Sequence, residues 1–242
     1  MTRFAFCLGL LLALGACAQT NVQTGSSAFG LGLARPHQVV VADFAFSSDV
    51  VVLDRGFTAR LERKIGAIPT YERKQRTVER VNDEIVATIV STLRAAGLEA
   101  QPGSEETLTI DQPTLVVSGR LRAVDQGNRT QRNAIGFGAG HSGVVADMAV
   151  AHYSSSGKKP ILTFTAEAQS GRRPGAAATA PIAAARGAAA AANAAGGAMS
   201  ERLSADVEAQ ARRLGRAAGD KIVAYAKEQG WLTKSETSKP EG

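Results

Sequence analysis

His141, Ser142 and Asp147 are the residue types of a hydrolytic triad, and they lie close together in the chain. A serine nucleophile needs a base and an orienting carboxylate within hydrogen-bond reach. No G-x-S-x-G elbow surrounds Ser142, so the groups occur without the strained turn that exposes a nucleophile. Overlapping them, Gly138-Ala139-Gly140-His141-Ser142-Gly143 matches G-x-G-x-x-G letter for letter. That fingerprint cradles a pyrophosphate when a strand precedes it, a helix follows it and an acidic residue comes about twenty positions later. Here a polar segment precedes and an alternating, strand-like segment follows, and there is no G-x-x-x-x-G-K-[ST]. The sequence therefore argues against a nucleotide. The three histidines, His37, His141 and His152, have neither H-E-x-x-H nor any paired-ligand spacing. No metal and no cofactor is expected, and no catalytic residue is assigned.

A different chemistry suits the same loop. Ile135 and Phe137 set apolar groups among Gly136, Gly138, Gly140 and Gly143, with Arg129 and Arg132 beside them. Glycine permits close backbone approach. Arginine next to apolar anchors is common in interfaces. The expectation is an interaction loop over Ile135–Gly143, with the two arginines placed to meet acidic groups. The plainer alternative is a glycine-rich connection between strands, packed against its own domain.

The N-terminus gives an address. Arg3 precedes a short apolar run, Leu8–Leu14, and small residues lead to Cys17, which reads as a signal peptide over 1–16. The run is too short to span a bilayer as a helix. Leu14-Gly15-Ala16-Cys17 resembles a lipobox, which implies that Cys17 receives lipid and anchors the chain to a membrane. Ala18, where an inner-membrane retention signal would have aspartate, favours the outer membrane, with the domain facing the periplasm. Cys7 leaves with the signal, so the mature chain has no intrachain disulfide and depends on a packed core. The formal charge is +6, and removing Arg3 leaves 27 basic against 22 acidic residues. Export makes nucleic acid a poor partner, and no aromatic residues interleave with a basic run.

Residues 17–36 are small and polar after the cysteine and are expected to be a flexible tether, about 60 Å long at full stretch. HQVVVADFAF (37–46) reads as a buried strand, and VVVL (50–53) either extends it or forms another. Val78, Val81, Ile85, Ile89 and Leu93 form one stripe on a helix over 71–96, which Gly97 caps and Leu98 clasps. Strands follow at 114–124, 144–153 and 161–169, the last two joined as an antiparallel hairpin. Residues 171–198 are an alanine- and glycine-rich excursion of low complexity. Leu203, Val207, Ala211, Leu214, Ala218, Ile222 and Tyr225 mark a closing helix over 200–229, capped by Gly230, and 233–242 is a polar tail expected to be disordered. The fold class expected is α+β in one domain over 37–232: a mainly antiparallel sheet of about four strands packed by two long helices.

VVVADF (39–44), LRAAGL (93–98) and LVVSGRLRAVDQGNRTQRNAIGFGAGHS (115–142) together resemble a family of bacterial lipoproteins known as domain of unknown function family 4410. The resemblance covers about residues 36–232 and brings no catalytic residues with it. A weaker likeness, in the VxVxxF-like strand, the long helix and the LVxGxL-like strand, is to periplasmic domains of envelope-assembly lipoproteins such as curli secretion factors. The function expected is a non-catalytic, lipid-anchored envelope protein whose domain binds another envelope component or itself. An envelope hydrolase using His141, Ser142 or Asp147 and a carrier of a small apolar ligand held between helices and sheet are the alternatives.

Overall fold

The computed structural model describes residues 19–56, 61, 68–107, 111–128, 141–170 and 201–232. Cys17, Arg129, Arg132, Ile135, Gly136, Phe137, Gly138 and Gly140 lie outside the described residues, as do the alanine-rich excursion and the tail.

The described strands are β1 (Gln19–Ser27), β2 (Gln38–Ala42), β3 (Val51–Val52), β4 (Ala100–Gly103), β5 (Thr114–Asp125), β6 (Gly143–Ser154) and β7 (Gly157–Gln169). The helices are α1 (Thr70–Ala95) and α2 (Glu201–Glu228). The sheet runs β1-β7-β6-β5-β2-β4, with β3 also paired to β5. Strands β5, β6, β7 and β1 pair antiparallel, whereas β2 pairs parallel with both β4 and β5, and β3 pairs parallel with β5.

This corrects the expected fold. The sheet has seven strands and is mixed, not about four strands and mainly antiparallel. The parallel pairs follow from α1, which carries the chain back so that β4 enters beside β2 in the same direction. Val51–Val52, within the VVVL segment expected as a strand, form β3. The other two additional strands have little apolar pattern to announce them: β1 is QTNVQTGSS and β4 is AQPG.

Residues 19–36 are likewise not a tether. Nine of them form β1, because β7 offers an unpaired row of donors and acceptors and β1 satisfies it from Gln19↔Gln169 to Ser27↔Leu162. The next segment is tied down as well. The Tyr225 hydroxyl donates to the Ala28 carbonyl at 2.6 Å, Trp231 Nε1 donates to the Leu33 carbonyl at 3.3 Å, and His152 Nε2 lies 3.0 Å from the Ala34 carbonyl.

Both helices cover one face of the sheet. Val78, Val81, Ile85, Ile89 and Leu93 of α1 and Val207, Ala211, Leu214, Ala218 and Ile222 of α2 join inward residues of every long central strand in one apolar cluster. The helices lie side by side and parallel, with Arg80–Glu208 at 3.3 Å and Arg212–Glu84 at 3.4 Å along their seam. Glycine makes that approach possible, since a Cβ on Gly219 would stand 2.7 Å from Thr92 Cβ.

Both helix ends close as Schellman caps. Gly97 (φ 86°) and Gly230 (φ 72°) are left-handed, Leu98 N donates to the Leu93 carbonyl at 3.1 Å and Trp231 N donates to the Ala226 carbonyl at 3.0 Å. In β5 the expected alternation breaks after Leu121. A bulge between Leu121 and Ala123 leaves Arg122 unpaired and turns Val124, rather than Ala123, into the core.

Candidate interaction surface

The groups that suggested hydrolysis are not brought together. Ser142 shares the inward parity of Val144, Ala146 and Met148 and is fully buried. Its Oγ has no hydrogen-bond partner among the described residues. Asp147 has the opposite parity and lies on the other face of the sheet, five residues, or about 17 Å, along β6. His141 is exposed just before the strand. His152 lies near the other end of β6, buried beside Trp231 with ring centroids 6.1 Å apart. Gly143 is the described end of the expected interaction loop. It starts β6 and pairs with both Asp125 and Gln169.

The helix-free face of the sheet is polar in its middle. Arg122 donates to Asp147 Oδ2 at 2.8 Å and the Thr165 hydroxyl donates to Asp147 Oδ1 at 2.8 Å. These bonds hold the Asp147 carboxyl below the usual aspartate value, the Arg122 bond contributing most. Toward the β6–β7 turn, Val116, Ala151 and Tyr153 make a small second apolar cluster. Beside it Glu105 accepts from Lys158 Nζ at 2.6 Å and from the Tyr153 hydroxyl, and both bonds lower its pKa.

Concave surface occurs on the opposite, helix side. A groove of about 600 Å³ between α1 and the β4 edge is lined by Asp43, Asp83, Val86, Val90, Arg94 and Pro102, among others. It lies outside the layer between helices and sheet, where Ile85, Ile89, Leu115, Leu214 and Ile222 are fully buried.

Among the described residues, β1 is exposed along nearly its whole length. Only Val22 of its nine residues is partly buried, and it packs on the main cluster. Beside its ladder to β7, the strand is also fastened at Ser26, whose N–H and hydroxyl both meet Thr163 Oγ1, at 3.0 and 2.8 Å. QTNVQTGSS contains no charged residue and no proline. Natural edges usually carry such residues, because an uncovered row of N–H and C=O groups pairs with other strands. Next to it, Phe29 and Leu31 remain half exposed, with Phe29 stacked at 5.3 Å on Tyr225. Sequence reasoning missed this edge. The available signal was the period-2 series Thr20, Val22, Thr24, which shares one face of the strand.

Among the described residues, a mixed sheet with both helices on one face defines a two-layer α/β domain. The chain belongs to the family described as Domain of unknown function (DUF4410), which it matches over residues 39–187. None of the curated proteins matches it. Among solved structures it is similar to a PelC dodecamer from Paraburkholderia phytofirmans, with 13% identity, 87% of this chain and 98% of that chain covered, and a TM-score of 0.35. It is also similar to a Xanthomonas campestris protein of the DUF330 family, with 10% identity, 81% and 91% covered, and a TM-score of 0.37.

Proposed function

We propose that this protein is a lipid-anchored envelope protein that works by binding, and that the outer edge of β1 receives a strand of another polypeptide, either a second copy or another envelope protein. The uncovered, uncharged backbone of β1 is the observation that supports this reading. Main-chain hydrogen bonds supply affinity in strand addition, and side chains on alternate positions supply selectivity. The lipobox-like LGAC sequence supports anchoring at Cys17. Among the described residues no helix is long and apolar enough to cross a membrane.

Two measurements test the reading. Cys17→Ser should abolish fatty-acid labelling and leave the precursor uncleaved, and unchanged labelling would remove the anchor. Asn21→Lys with Gln23→Lys should leave the fold intact and abolish association, whether seen as self-association by light scattering or as a partner crosslinked in cells. Association that survives two lysines on the edge would place the binding surface elsewhere.

A further inference from the structure

The geometry points to a second contact, with the lipid bilayer itself, at the end of the domain where β1 begins; this rests on the proposed acylation of Cys17. Gln19 pairs with Gln169, Gln169 with Gly143, and Gly143 with Asp125, so one row crosses four strands at that end. Cys17 precedes the row by two residues, which span at most about 7 Å. A lipid on Cys17 therefore holds the β1 corner of this end close to the membrane surface, not a domain hanging on a long tether.

The surface found there fits that occupant. Gln126, just past the end of β5, bonds Thr77 of α1 through its Nε2 at 3.3 Å. The seven residues of α1 before Thr77 thus project about 10 Å beyond the sheet on the same side as the anchor. They present Tyr71, which is 67% exposed, and Arg73, Lys74 and Arg76, with Ile68 exposed just before them. Arg55 adds a further exposed cation beyond the Asp125 end of the row. Glu72 pairs with Arg76 and Asp125 with Arg55, while Arg73 donates to the Ile68 carbonyl. The helix dipole disfavours cations in its first turns, and local partners offset this only for Arg76, through Glu72, and Arg73, through the Ile68 carbonyl. An aromatic ring and an isoleucine among basic side chains match an anionic headgroup layer, where the apolar groups enter and the cations meet phosphate.

The test uses the acylated protein in vesicles of phosphatidylethanolamine and phosphatidylglycerol that carry nitroxide headgroups as quenchers. A fluorophore is placed at Arg55→Cys or at Ser156→Cys, in the β6–β7 turn at the other end of the sheet. The twelve residues of β6 separate the two levels by about 40 Å. The label at position 55 should lose most of its emission, and the label at 156 should keep nearly all of it. Equal quenching, with acyl mass found on Cys17, overturns the orientation alone. An unacylated Cys17 overturns the anchoring reading and takes the orientation with it. A long Gly/Ser segment inserted between Ala18 and Gln19 should leave position 55 quenched, and adding Tyr71→Ser with Lys74→Glu should release it. Release by the inserted segment alone would show that the anchor, and not this surface, holds the domain down.

Discussion

The two edges of the sheet are built differently. β4 has four residues, and one of them is Pro102, which has no N–H to offer a neighbour. Its first carbonyl, on Ala100, already accepts from Arg94 Nε at 2.6 Å, so α1 reaches over that edge. β1 has nine residues, no proline and no charge, and α2 packs near it as α1 packs near β4. One edge is blunted against strand addition by its shortness and its proline, and the other has neither protection. An exported chain that must stay monomeric would be expected to protect both. The difference teaches that exposure at β1 is not a general feature of how this sheet ends.

The β4 side is fastened through α1, so Ile89→Ala, at a fully buried position, should cost about 2–5 kcal/mol. A stability loss by urea unfolding of less than about 0.5 kcal/mol would mean that the helix is not the fastening. Next comes the link from α1 into β4. Gly97 is left-handed with open space around it, so Gly97→Val should cost about 1–2 kcal/mol through backbone strain alone. A midpoint identical to the parent's would show that the cap tolerates a β-branched residue.

Smaller still is the electrostatic effect at the β6–β7 turn. The bonds from Lys158 and Tyr153 lower the Glu105 pKa, so they stabilise the fold above the ordinary glutamate value. That contribution is lost as pH falls through the folded value. Because the pair is exposed, it is worth about 1 kcal/mol at most. Glu105→Gln should therefore flatten the acid side of the stability curve below about pH 5, and should change little at neutral pH beyond that small loss. An acid limb as steep as the parent's would assign the sensitivity to other carboxylates, Asp147 first.

Much of the central sheet and both helices could be read from side-chain period. Val144, Ala146, Met148 and Val150 face the core as alternation requires, and both glycine caps stand where the apolar stripes end. What could not be read was held by backbone. β1 buries almost no side chain, so no apolar pattern marks it, and its strand state depends on a β7 edge far away in sequence. β4 and β3 join a sheet that the β2–α1–β4 crossover lays out in parallel, and the pattern of a strand does not state its direction. The bulge at Arg122 shifted the inward face from Ala123 to Val124 without any glycine or proline to signal it. The apparent triad failed for a similar reason. Ser142 and Asp147 are an odd number of residues apart in an extended segment, which sends them to opposite faces.

The most direct test of the binding edge is a photo-crosslinking amino acid placed in cells at Gln23 on β1 or at Gln101 on β4. Both positions are exposed on edge strands, so they differ in edge and not in burial. Gln23 should give a discrete protein adduct that disappears when Asn21→Lys is added, at a stability change of about 0.5 kcal/mol or less. Gln101 should give none. Adducts at Gln101 and none at Gln23 would contradict the account.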